Sequence, residues 1–184
     1  YSANIVESAL PASLVSTVSA SDRDTGKNGQ IIYSIKGEGS DAFTIHPTEG
    51  HIRVKATAAG RSNLDRERQS KYRLQVVASD TPDGGPEQKS TITAVYIKLE
   101  DVNDTPPVFS QSQYSAVVPE NSQIGTLVAT VMATDPDLGA SGEVTFEFLE
   151  RQEHYKIDQE TGAITTNAKL TGKGRALPYV LTVC

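Results

Sequence analysis

Glu7, Asp65, Glu67, Asp101, Asp104, Asp135 and Asp137 are the side chains of this 184-residue chain whose types and spacing could do chemistry. The chemistry they suit is the binding of a hard divalent cation. Calcium takes six to eight oxygen ligands at about 2.3–2.6 Å, and these seven side chains offer only oxygen. Zinc or copper would call for His or Cys. His46, His51 and His154 have no metal-like spacing, and the one cysteine is Cys184. Asp22-Arg23-Asp24 does not extend into an EF-hand loop, because Gly26, Lys27 and Tyr33 stand at its fifth, sixth and twelfth places. A glycosidase carboxylate pair would not explain why the acidic motifs recur at a fixed interval.

That interval is 113 residues: Glu7 matches Glu120, Asp22 matches Asp135, and Asp24 matches Asp137. The chain is therefore an internal repeat. Copy one opens Ser2-Ala3-Asn4-Ile5-Val6-Glu7 and copy two Ser115-Ala116-Val117-Val118-Pro119-Glu120. Phe43-Thr44-Ile45 pairs with Tyr155-Lys156-Ile157, and Tyr72-Arg73-Leu74 with Tyr179-Val180-Leu181. Between the copies lies Asp101-Val102-Asn103-Asp104-Thr105-Pro106-Pro107, whose two prolines fix φ and restrict the residue ahead of them. We expect a first module with its linker at 1–105 and a second at 106–184.

The elements that must position the carboxylates are strands. Leu74, Val76 and Ala78 alternate with Arg73, Gln75 and Val77, and Val95, Ile97 and Leu99 with Ala94, Tyr96 and Lys98, the two-residue period of half-buried strands. Thr81-Pro82-Asp83-Gly84-Gly85-Pro86 is a loop between them. With no long 3.6-residue periodicity, the fold class is all-β, two small aliphatic sandwiches. A net charge of −6 and pI near 5.1 argue against a nucleic-acid partner. No stretch reaches the roughly 20 apolar residues of a membrane span, so any membrane anchor lies outside these residues. Cys184 is expected in a core strand.

Five motifs carry a family resemblance. Ala20-Ser21-Asp22-Arg23-Asp24, Leu64-Asp65-Arg66-Glu67, Ala78-Ser79-Asp80, Asp101-Val102-Asn103-Asp104 and Pro107-Val108-Phe109, in that order, resemble the motif set of cadherin extracellular repeats, over nearly the whole chain. The resemblance is to the long members of fat-like, dachsous-like, flamingo-like or protocadherin type. It implies seven-stranded Greek-key, Ig-like sandwiches joined by a calcium-binding linker that holds about three Ca2+ ions. Carried over, the outermost ion falls to Glu7, Asp65, Glu67 and Asp104. The next falls to Glu7, Glu67, Asp101, Asp104, Asp137 and the Val102 carbonyl. The third falls to the Asn103 side chain, the Thr105 carbonyl, Asp135, Asp137 and the Ser141 carbonyl. Thr105 and Ser141 stand where the family usually has Asn, and a carbonyl ligand tolerates that change.

The resemblance further implies calcium-dependent cell–cell adhesion, no enzymatic activity, other cadherin ectodomains as homophilic or heterophilic partners, and the extracellular face of the plasma membrane as location. A receptor or mechanical tether is the rival reading. Copy two departs from the pattern at Leu170-Thr171-Gly172-Lys173, which supplies no carboxylate, so Glu120 is expected to bind no ion. Cys184 aligns with Val77, so copy two is expected to lack its last strand, the natural chain to continue, and Asp22, Asp24 and Asp80 to be half of another junction. Asn103-Asp104-Thr105 is formally a glycosylation sequon, but Asn103 is needed as a ligand and no glycan is expected there.

Overall fold

In the computed structural model, which describes residues 1–80, 88–170 and 180–184, the chain divides into two compact units, Tyr1–Val102 and Asn103–Cys184. The expected Thr81–Pro86 loop and the Thr171-Gly172-Lys173 departure lie outside the described residues.

Unit one is a sandwich of two sheets. Its four-stranded sheet has the order β1 (Ser2–Val6), β7 (Ser90–Glu100), β6 (Lys71–Ser79), β3 (Ile32–Lys36), with β1 parallel to β7 and the other pairs antiparallel. Its three-stranded antiparallel sheet has the order β2 (Leu14–Thr17), β5 (His51–Val54), β4 (Phe43–Ile45). Leu74, Val76, Val95, Ile97 and Leu99 turn inward as their alternation requires, and meet Phe43, Ile52 and Val54 from the facing sheet. Phe43 packs edge-on against Tyr72, ring centroids 5.1 Å apart, a geometry that aromatic quadrupoles favour. Val77 departs from the period-2 reading. It is 5% exposed although its strand neighbours Gln75 and Arg73 face water.

Unit two has less regular structure. β8 (Val108–Phe109) pairs with β10 (Ala133–Thr134), and β9 (Leu127–Thr130), β12 (Ala163–Thr166) and β11 (Tyr155–Ile157) form a three-stranded sheet in the order β11-β12-β9. Among the described residues its core is Val131, Phe146, Tyr155 and Ile164, with Phe109, Val128 and Leu181 packed against them. Thr166 is fully buried and satisfied, donating to the Gln123 carbonyl at 2.7 Å and accepting from the Thr126 N–H at 3.0 Å. Residues 115–119, matched in sequence to β1, form no regular strand. In unit one the matching residues form β1, which hydrogen-bonds to β7. Cys184 is not a core residue: it is exposed, and its backbone pairs with Glu147 on both sides.

The β4–β5 and β11–β12 turns solve one problem with different chemistry. Asp158 accepts the N–H groups of Glu160 (3.2 Å) and Thr161 (2.9 Å) and the Thr161 hydroxyl (2.8 Å). His46 stands in the matching place, and its Nδ1 accepts the Glu49 N–H at 3.2 Å. The Thr161 backbone N–H, its hydroxyl and the Glu160 N–H, aided by Lys156, hold the Asp158 carboxyl below its ordinary pKa. A lowered pKa contributes stability above the ordinary carboxylate value of about 4, lost as pH falls through the depressed one. Asp158→Ala is therefore expected to lower the melting temperature near neutral pH, with the gap from wild type closing on acidification through that range.

Candidate metal centre

The acidic residues fall into two groups, one on each unit. In unit one, Glu7 follows the end of β1, where the chain leaves the sheet, and is only 3% exposed. Burial of a carboxylate is tolerable only with partners. Its Oε2 accepts the Arg66 N–H at 2.5 Å and its Oε1 the Val102 N–H at 3.0 Å. Glu7 thus ties the Asp65-Arg66-Glu67 turn to the end of the linker strand. Asp65 is exposed and closes its own turn, its Oδ1 accepting the Arg68 N–H at 2.8 Å and its carbonyl the Gln69 N–H at 2.9 Å. The Arg66 guanidinium donates to both Glu67 and Asp101. Burial works against that charge, but the Asp101 hydrogen bond and the charges of Glu67, Asp101 and Glu7 outweigh it and raise the Arg66 pKa. Glu67 and Asp101 are mostly buried, their side chains 19% and 15% exposed.

In unit two, Asn103, Asp104, Thr105, Asp135 and Ser141 line one depression. Asp135 Oδ1 accepts the Asp137 N–H at 2.9 Å, and Asp137 Oδ2 accepts the Thr105 N–H at 3.4 Å. The Thr105 hydroxyl donates to Asp104 at 3.3 Å. Asp137 is 6% exposed, and its Oδ1 is buried with no hydrogen-bond partner. An orphaned buried carboxylate oxygen is costly unless a cation meets it, so the donor set fits calcium on this structure's own terms.

The loop carrying Asp137 is held by backbone. A 3-10 turn, Gly139–Gly142, follows it, and a Cβ at Gly142 would lie 2.1 Å from the Asp137 carbonyl oxygen. The same closeness occurs at Gly29 against the Asp24 carbonyl, also 2.1 Å, in the matching turn Gly26–Gly29. Gly142→Ala must push the Asp137 loop aside. We expect a loss of about 1–3 kcal/mol of stability in urea unfolding, with weakened calcium binding by titration calorimetry.

The opposite end of unit one repeats the unit-two pattern. Asp22 Oδ1 accepts the Asp24 N–H at 2.7 Å, and Asp80, buried, accepts the Lys89 N–H at 2.7 Å. The Tyr33 hydroxyl accepts the Ala20 N–H at 2.7 Å and pins the start of that loop to the core. Sequence motifs did not single out Tyr33; its pairing with the Asp22 loop shows only once the chain is folded.

Comparison with known proteins gives one family. The Cadherin domain model matches residues 1–100 and 114–183. Mouse "Cadherin EGF LAG seven-pass G-type receptor 1" is 34% identical over 187 residues, covering all of this chain and 6% of that protein. Human "Cadherin-23" is 38% identical over 173 residues, covering 92% of this chain and 5% of that protein. The solved structure of mouse Cadherin-23 EC22-24 superimposes with a TM-score of 0.82 at 33% identity, covering 92% of this chain and 52% of that one. The chain spans only a small fraction of its curated relatives.

Proposed function

Because the chain belongs to the cadherin family, as two repeats like those of its long non-classical members, we propose that it is a section of an ectodomain for calcium-dependent cell–cell adhesion. Its task there is to hold neighbouring repeats in a fixed relation. The cadherin repeat is a non-enzymatic adhesion and structural domain. The reading takes 1–105 as one repeat with its linker and 106–184 as belonging to a second, outside the cell on a membrane-anchored parent.

About three Ca2+ ions would be held by Glu7, Asp65, Glu67, Asp101, Asp104, Asp135 and Asp137, with oxygens of Val102, Asn103, Thr105 and Ser141. When bound, the ions supply positive charge that the carboxylates share. The chain does the rest. Glu7 clamps the Arg66 turn to Val102, Val102 and Asn103 are joined by one peptide bond, and Asp135 and Thr105 aim Asp137. The single observation that carries the reading is the partnerless, buried Oδ1 of Asp137. Without cations, like charges about 4 Å apart repel by up to about 4 kcal/mol per pair at an effective dielectric near 20, so the joint should loosen.

Titration calorimetry with calcium tests this on wild type and Asp137→Asn. Binding near 10⁻⁴–10⁻³ M, weakened at least about tenfold by the substitution, is expected. Absence of calcium binding to the wild type would refute the proposal. Partners are other cadherin ectodomains. One relative, a seven-pass G-type receptor by name, supports a second reading, a receptor or tether that does not itself adhere. Beads coated with a longer ectodomain would clump in calcium under the first reading and stay dispersed under the second.

A further inference from the structure

The outward face of the four-stranded sheet in unit one breaks a rule of strand pairing. In the β6–β7 register Lys71 stands directly opposite Lys98, and both are exposed. Like charges directly opposed across strands are destabilising. One row further, Arg73 opposes Tyr96 with its guanidinium carbon 6.0 Å from the ring centroid, and in the next row Gln75 lies opposite exposed Lys36 of β3. Rows are about 6.6 Å apart and strands about 4.8 Å, so the four cations form a diagonal stripe across three strands. Among the described residues none of the four forms an ion pair with a carboxylate. Glu100 closes the face at the end of β7, opposite Val6.

We propose that this stripe binds a linear sulfated polysaccharide. Three features select that occupant. The stripe is extended and lies on a sheet face rather than in a cleft, which suits a chain of repeated anions and not a small ligand. It is lysine-rich, whereas the buried centres of protein interfaces are depleted in lysine. Arg73, lying over the exposed Tyr96 ring, presents a planar fork suited to oxyanions. The whole chain carries −6, so a polyanion is repelled everywhere but locally. A sulfate shared between Lys71 and Lys98 relieves the repulsion that the fold leaves in place.

The test is retention of the 184-residue chain on immobilised heparin, with calorimetry against a heparin octasaccharide, in EGTA and again in calcium. Wild type is expected to be retained at about 0.1 M NaCl and released by higher salt, with or without calcium, which separates this proposal from the metal reading. Lys71→Glu and Arg73→Glu should each weaken binding about tenfold, and Lys156→Glu on β11 should leave it unchanged. Lys98→Glu should lose binding equally while raising the melting temperature, because it puts opposite charges across the pair; a purely structural role would not separate those readouts in that direction. Failure of wild type to bind, or equal binding by all variants, overturns the proposal. So does concentration-dependent self-association abolished by Lys98→Glu without heparin binding, which would make the face a contact between copies.

Discussion

Chelating calcium is expected to cost this protein several kilocalories per mole of stability and the stiffness of its linker. At about 2 mM calcium and a dissociation constant near 10⁻⁴ M, each ion bound only to the folded state contributes about 1.8 kcal/mol, and three about 5 kcal/mol. One kcal/mol moves the melting temperature of a domain this size by about 4–8 °C, so a scan in EGTA should fall by at least about 10 °C. Small-angle scattering should change in the same titration, since carboxylates that no longer share cations repel one another. Superimposable melting and scattering curves with and without calcium would sink the proposed function.

The second large effect separates a carboxylate that builds the fold from one that waits for a cation. Glu7→Ala removes the acceptor for the N–H groups of both Arg66 and Val102 at a site 3% exposed. An N–H left unpaired costs up to about 1–3 kcal/mol where it is buried; these two are part-buried, so about 2–4 kcal/mol of the full range of about 2–6 kcal/mol should be lost even in EGTA. Asp137→Asn has the opposite profile. Its Oδ1 has no partner to lose, and removing a charge near Asp135 relieves repulsion, so stability in EGTA should hold or rise slightly while calcium no longer raises it fully. Urea unfolding of both variants with and without calcium measures the contrast. Equal behaviour of the two in EGTA would show that Glu7 is not the structural clamp described above.

The fold class was legible because a strand declares its inward face every second residue. Leu74, Val76, Val95, Ile97 and Leu99 are core residues as their alternation required, and the cadherin pattern is confirmed over 1–100 and 114–183. The pairing of Arg66 with Glu67 and Asp101 shows only in the folded chain. Cys184 was misjudged, because alignment with Val77 predicts a strand position and not whether anything covers it.

By itself the sequence determined the two copies, their all-β character and which side chains are chemically able to hold a hard cation, since composition and spacing along one chain are local properties. Tertiary structure alone decided which of those carboxylates is satisfied and which is not: Glu7 meets N–H groups 59 and 95 residues away, while Asp137 Oδ1 meets none. It likewise decided that Lys71 faces Lys98. Partners so distant in sequence are chosen by strand register and loop closure, and periodicity, which reports a face, says nothing of what stands opposite it.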